Sequence, residues 1–214
     1  AIWENHAVWE DKILLKYQGQ DDEETNNQTE EIIHYDLATQ ETNVCSSNEI
    51  AKRRYPRINH NYIVWDEDLE GHNTDIIFYN LQEKERLKIT HDSWNQGYPD
   101  VSQNKIVWLD ERDGTENIYM YDITRKRISA LTDYEIDKNP PILDNYDSNH
   151  VMWEEGDFFF IMYDADKNVF QQFTGENPYI SQNKLVYILD DKLIFYNQDD
   201  DSLGGKKTRG ISIF

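Results

Sequence analysis

A chain that repeats itself at a fixed period is confined to few architectures, because each unit leaves a hydrophobic face that only a neighbouring unit can cover. The 214-residue chain does this five times. Ile58-Asn-His-Asn-Tyr-Ile-Val-Trp65 aligns without a gap on Val101-Ser-Gln-Asn-Lys-Ile-Val-Trp108, on Ile180-Ser-Gln-Asn-Lys-Leu-Val-Tyr187 and on Ile2-Trp-Glu-Asn-His-Ala-Val-Trp9. A fifth copy ends in Val151-Met-Trp153, with four extra residues after Ile142 in a polar stretch that reads as a lengthened turn. Downstream of each copy lies a second anchor, at Ile32 to Asp36, Ile76 to Asn80, Ile118 to Asp122, Phe160 to Asp164 and Leu193 to Asn197. Thr90, Thr132 and Thr174 recur 42 residues apart, and a proline opens each later unit at Pro56, Pro99, Pro140 and Pro178.

The anchors are short runs of Val, Ile, Tyr, Trp and Phe separated by Asn, Asp and Gly clusters, which is the pattern of strands and turns. In the third unit the strands are expected at about Tyr98 to Ser102, Lys105 to Leu109, Asn117 to Ile123 and Arg127 to Thr132, with Asp113-Gly114 turning the hairpin between the second and third. Four short antiparallel strands at a period of about 40 residues describe the blades of a propeller. Leucine-rich and helical solenoids have other periods, and a sandwich does not repeat its sequence. The expected fold is therefore all-β, a five-bladed β-propeller forming one domain over 1–214, with blades near 1–47, 55–90, 98–132, 139–174 and 177–214. Gly210 to Phe214 supplies the outer strand of the fifth blade, and the ring is expected to close by packing of blade on blade without an exchanged strand. The insert Tyr17 to Glu31 reads as too polar to pack, hence as a mobile loop.

The unit Tyr98 to Asp122, followed by Ala130-Leu-Thr132, resembles the TolB-type (WD40-like) β-propeller repeat, and in particular the tandem repeats of archaeal and bacterial cell-surface proteins. The similarity covers nearly the whole chain and is sharpest in units two and three. It implies a propeller that serves as a protein-binding platform or envelope component, whose shared motif residues build blades rather than active sites. It also implies that partners are met on the face shared by the loops between blades and the loops between second and third strands.

Charge and cysteine usage narrow the function classes further. With 42 acidic against 21 basic residues the formal charge is −21, which repels phosphate backbones and anionic lipid, so nucleic acid and membrane surfaces are not expected partners. No stretch approaches the 18 to 20 apolar residues of a membrane span. The single cysteine, Cys45, forms no internal disulfide and leaves the redox compartment open. A start without Met fits a processed, exported protein and equally an excised fragment; the expected location is extracellular, cell-surface or periplasmic, with the chain monomeric.

Several constellations invite chemical readings. The repeated Trp65, Trp108 and Trp153, with Tyr79, Tyr121 and Tyr163, are either a stacking platform or the core between blades; their recurrence at strand positions favours core. Asp66 and Asp68, Asp110 and Asp113, and Asp164 and Asp166 space oxygen ligands as Ca²⁺ requires, yet the same Asp-, Asn- and Gly-rich segments form ordinary hairpin turns. No other cofactor is indicated. The six histidines lack metal-ligand spacing, and the acceptor pattern Asn27-Gln-Thr29 falls in the insert. The basic island Ala51 to Arg57 on an acidic protein and the loop Asp92 to Tyr98 single out Arg53, Arg54, Arg57, Trp94, Tyr98 and Tyr134 as candidate binding residues, since Arg, Trp and Tyr dominate interface energetics.

Two functions compete. The first is a non-catalytic binding or scaffold module that recognises a protein or glycan through one face. The second is a five-bladed glycoside hydrolase with paired carboxylates at the central channel. Asp100 on an innermost strand suits the second, whereas Arg57, Pro141 and Tyr179 at the matching positions supply no partner carboxylate.

Overall fold

A computed structural model describes residues 1–18, 24–69, 71, 73–135, 138–146, 149–156, 158–182, 184–190, 192–197 and 208–212. Their regular structure consists of β-strands in five four-stranded antiparallel sheets, each a meander in chain order. The first contains β1 (Ile2–Trp3), β2 (His6–Gln18), β3 (Glu24–Asp36) and β4 (Glu41–Val44). The second contains β5 (Ala51–Asn59), β6 (Tyr62–Leu69), β7 (Thr74–Asn80) and β8 (Glu85–Lys88), and the third β9 (Gln96–Ser102), β10 (Lys105–Asp110), β11 (Asn117–Asp122) and β12 (Arg127–Ala130). The fourth contains β13 (Ile142–Leu143), β14 (His150–Glu155), β15 (Phe159–Asp164) and β16 (Val169–Thr174), and the fifth β17 (Glu176–Ser181), β18 (Lys184–Leu189), β19 (Lys192–Asn197) and β20 (Thr208–Ser212). Among the described residues no helix is long and apolar enough to cross a membrane.

Side chains alternate across a strand, and here both faces of the inner sheets are covered, so the second strand of each unit is an unbroken apolar run. One face packs back and the other forward. Val8, Ile32 and Cys45 meet Ile58, Ile63, Trp65 and Ile77 between the first and second sheets. Val64, Ile76 and Phe78 meet Val101, Ile106, Trp108 and Tyr121 between the second and third. Val107, Leu109 and Ile118 then meet Leu143, Val151, Trp153 and Tyr163, and Met152, Phe160 and Met162 meet Ile180, Leu185, Tyr187 and Ile194. Trp65, Trp108 and Trp153 are at most 1% exposed, which makes the recurring indoles core.

The polar anchors are equally structural. In the second sheet the Thr90 hydroxyl accepts the Ile76 N–H and donates to Asp75; in the third, Thr132 accepts the Ile118 N–H and donates to Asn117. The terminal residue of the second anchor caps the following turn: Asp36, Asn80, Asp122 and Asp164 each accept backbone N–H groups two or three residues on. Gly114, at φ +83°, occupies the turn expected of Asp113-Gly114.

The expectation of an unpacked loop at the insert is corrected. The polar insert continues the first hairpin, with β2 and β3 paired out to Gln18 and Glu24; residues 19–23 lie outside the described set. Backbone pairing needs no apolar side chain, and the hairpin is docked by polar contacts: Thr29, buried, donates to the Ala51 carbonyl, and the Glu30 carbonyl accepts from Arg53. The hydroxyl of the Asn27-Gln-Thr29 pattern is thereby enclosed rather than looped out. The aromatics of the first and fifth sheets are less enclosed than their equivalents in the inner sheets. Trp9, equivalent to the sealed Trp65, is 41% exposed, and Phe195, equivalent to the buried Phe78, is 38% exposed.

The first strands of all five sheets nevertheless surround one cavity of about 270 Å³, lined by Ile2 and Trp3, Arg57 and Ile58, Asp100, Leu143, and Tyr179 and Ile180. One end is tied across by side chains. Asn59 donates to the Asn145 carbonyl (3.0 Å) and accepts the Gln103 N–H (3.0 Å), Ser102 donates to the Asp144 carbonyl (2.5 Å), and Asp144 accepts the Gln182 N–H (3.0 Å). Trp3 packs between His60 and Tyr146 at that end, with ring centroids 5.1 and 5.6 Å away.

Candidate functional site

At the other end of the sheets, Pro56, Pro99 and Pro178 sit inside the innermost strands β5, β9 and β17, while Pro140 precedes β13. Proline donates no ladder hydrogen bond, so such strands must bulge. The register shifts between Arg54 and Arg57 in β5, opposite Val107 and Leu109 in β9, and between Glu176 and Tyr179 in β17. The residue before proline at each bulge, Tyr55, Tyr98 and Asn177, has a positive φ of 55°, 54° and 51°. A bulky residue in the left-handed region is strained by about 1–3 kcal/mol, and such strain persists only where the surroundings enforce it.

Two of these residues are tyrosines from adjacent sheets, and the bulges bring them face to face. The Tyr55 and Tyr98 rings stack with centroids 4.3 Å apart and planes 30° apart, both exposed on their outer sides. They stand at the mouth of a cleft of about 350 Å³ between the second and third sheets, walled by Asp66 and Asp68 of β6, Gln96 and Gly97 of β9, and Glu111 and Glu116 of the β10–β11 turn. A Cβ at Gly97 would come within 3.2 Å of Asp66 Oδ2, so any larger residue there would have to displace that carboxylate.

Arg54 also lines the cleft. Its Nε donates to Asp66 Oδ1 at 3.3 Å, and its Cζ lies 5.9 Å from the centre of the Tyr55 ring. Burial raises the Asp66 carboxyl to about 6, against the pull of the Arg54 guanidinium and of the Tyr98 N–H. Gln96, 1% exposed, donates through Nε2 to Asp92 (2.7 Å), while its Oε1 has no donor; Asp68 Oδ1 is likewise enclosed without one.

The residues singled out from the sequence therefore separate. Arg54 and Tyr98 meet in the cleft. Trp94, 47% exposed, flanks it: its carbonyl accepts from Asn73 and its neighbour Asn95 lines the wall. Arg57 faces the central cavity, and Tyr134 lies in the next gap, its hydroxyl donating to Glu155 and its ring 4.5 Å from the Lys138 ammonium. Arg53 is corrected outright, because it is fully buried and bonded to Glu67 at 2.5 Å. Tyr55, Gln96 and Asp68 as cleft residues were missed, although a recurrent X-Pro in an innermost strand is a readable sign of a bulge.

Most of the Ca²⁺ candidates already have partners within the protein. Asp66 is held by Arg54; Asp110 accepts from the Trp108 indole (2.8 Å) and from Arg112 (2.6 Å); Asp113 accepts from the Tyr119 hydroxyl (2.5 Å). Asp164 caps its turn and pairs with Lys167 at 3.0 Å, leaving Asp166 exposed and alone at the surface. Among the described residues no group of three or more His, Cys, Asp or Glu side chains is arranged to hold a metal. Cys45 is core, its thiol pushed up to about 12 by burial. In the central cavity Asp100 is the one carboxylate among the described lining residues; burial raises it to about 6, and its oxygens accept the Val101 and Leu143 N–H groups.

No family model matches the chain, and no curated protein matches it in sequence. Solved structures match the fold. TolB from Acinetobacter baumannii superposes with a TM-score of 0.55 at 17% identity, covering 78% of this chain and 45% of that one. An oligogalacturonate lyase in complex with manganese gives 0.58 at 12% identity over 86% and 60%, and a nidogen/laminin complex 0.54 at 12% over 89% and 74%. The chain thus spans about half the length of TolB. Five meandering sheets around one cavity, with these structural likenesses, make the fold that of a TolB-type β-propeller.

Proposed function

We propose that the chain is a five-bladed, non-catalytic binding module of an exported or cell-surface protein, monomeric, and that it engages a protein or glycan partner through the cleft between the second and third sheets. The observation that carries this reading is the Tyr55–Tyr98 stack, two aromatics held in strained backbone at an open mouth on a rigid scaffold. The bulges hold the two rings stacked while each keeps more than a third of its surface open, and rigid aromatic pairs are efficient contact surfaces. One structural neighbour is itself a complex of two proteins, nidogen and laminin, in line with a recognition role.

The test is binding of the full chain to peptide and glycan arrays, compared with a Tyr55→Ala/Tyr98→Ala variant and with Phe158→Ala, a control exposed in the turn between β14 and β15. Ligands of the cleft are expected to lose tenfold or more in affinity in the double variant and to be unchanged in the control, as for truncation of hot-spot aromatics. Hits insensitive to the double variant would place recognition elsewhere. The hydrolase reading draws on Asp100, whose raised carboxyl suits a general acid, but two-carboxylate hydrolysis needs a second group, and among the described lining residues Asp100 is the one carboxylate. Turnover of chromogenic glycosides that is lost in Asp100→Asn would favour it.

A further inference from the structure

We propose that the cleft between the second and third sheets takes a cation, the guanidinium or ammonium of an arginine or lysine side chain presented by a protein partner. This rests on the reading of that cleft as the binding site and adds the chemistry of what enters it.

The walls are built of acceptors. Asp66, Asp68, Glu111 and Glu116 bring carboxylates, and Arg54, the one cation among the described lining residues, is already committed to Asp66. The wall amides donate within the protein: Asn95 Nδ2 gives one hydrogen to Glu111 (2.8 Å), and Asn73 Nδ2 donates to the Asp92 and Trp94 carbonyls (3.1 and 3.3 Å). The Gln96 amide cannot reverse, because that would turn its oxygen onto the Asp92 carboxylate, so Oε1 remains an acceptor. Gln96 Oε1 and Asp68 Oδ1 are thus two enclosed acceptors without donors, and buried acceptors left unpaired are costly unless something supplies a hydrogen.

What supplies it must be organic and positive. A ligand rich in acceptors, such as an acidic peptide, would meet four carboxylates. A bare metal ion would need its ligands gathered at about 2.4 Å, whereas these oxygens line a space of about 350 Å³. The two phenol rings add a surface that attracts guanidinium and ammonium groups. The chain displays the mode itself: Arg54 bonds a carboxylate while lying over Tyr55, and a second cation would use Asp68, Gln96 and Tyr98 in the same manner. The net charge of −21 speeds the approach of a basic segment.

The experiment is an NMR titration of the full chain with N-acetylated Gly-Arg-Gly and Gly-Lys-Gly amides, the Gly-citrulline-Gly amide, cellotetraose and calcium chloride. Expected are saturable shifts at Asp68, Gln96 and Tyr98 with the arginine or lysine peptide, about tenfold weaker binding of the citrulline peptide, and a similar loss in Asp68→Asn, in keeping with the weight of a charge-assisted hydrogen bond. Citrulline binding as tightly as arginine, or no shift with either cationic peptide, would overturn the inference. Shifts with cellotetraose alone, lost in Tyr55→Ala, would overturn the cation while keeping the cleft as a binding site. Shifts with calcium alone would make it a metal site and overturn it too. Peptide binding that ignores both Asp68→Asn and Tyr55→Ala would remove the cleft reading and the cation together.

Discussion

Arg53→Ala is expected to cost about 3–5 kcal/mol of folding stability, the loss typical of breaking one side of a buried ion pair. The guanidinium is the polar centre of the joint between the first two sheets. It holds the Glu67 carboxylate at 2.5 Å, donates to the Ser47 carbonyl (3.2 Å), the Glu49 carbonyl (3.0 Å) and the Thr29 hydroxyl (3.3 Å), and also bonds the Glu30 carbonyl. Its removal strands those carbonyls, so the loss includes several unmet acceptors as well as one charge. Arg86, which also pairs with Glu67, retains part of the neutralisation. Arg53→Ala combined with Glu67→Gln should therefore be less destabilised than the sum of the single changes, the coupling being that of residues in one network. Chemical denaturation with unchanged m-value checks this; a loss below about 1 kcal/mol would show that the guanidinium is solvated in solution.

The second large effect belongs to Trp108→Ala, expected at about 3–5 kcal/mol, as for deletion of a fully buried indole. Trp108 is 0% exposed between the second and third sheets, and its Nε1–H donates to Asp110 at 2.8 Å. The cavity opens in the joint that Val64, Ile76 and Phe78 share with the third sheet, so the loss includes the space left behind as well as the buried area. Trp94→Ala, by contrast, removes an exposed ring and should stay within about 0.5 kcal/mol. Thermal and urea unfolding of the two variants side by side distinguish core from surface tryptophan.

These two residues also mark what the sequence made readable. Trp108 was legible because it recurs: a unit that must cover its neighbour repeats the residue that covers, so Trp65, Trp108 and Trp153 declare their place by spacing alone. The turn-capping Asp36, Asn80, Asp122 and Asp164 were visible for the same reason, though as spacing without a reason until the backbone N–H groups they accept were seen. Arg53 was not legible. In one dimension it belongs to a basic island with Arg54 and Arg57, and only the pairing of Arg53 with Glu67 across β5 and β6, under the cover of the β2–β3 hairpin, sends it inward while its neighbours face the cleft and the cavity. That hairpin was itself hidden, since its polar residues pair through backbone groups common to every sequence. The cleft was half legible: loop aromatics and arginines pointed to that face, whereas the stack of Tyr55 on Tyr98 depends on two bulges in separate units and on the angle between neighbouring sheets.

The tryptophans divide into those spent on mutual burial of sheets and those left on loops and edges. Incorporation of 5-fluorotryptophan and measurement of ¹⁹F relaxation with a soluble gadolinium chelate reads all six residues at once. Trp65, Trp108 and Trp153 are expected to be almost untouched by the chelate, and Trp9 and Trp94 to relax fast. Fast relaxation of Trp65, Trp108 or Trp153, on a par with Trp94, would mean that the sheets do not seal against one another, and would contradict the architecture on which the cleft depends.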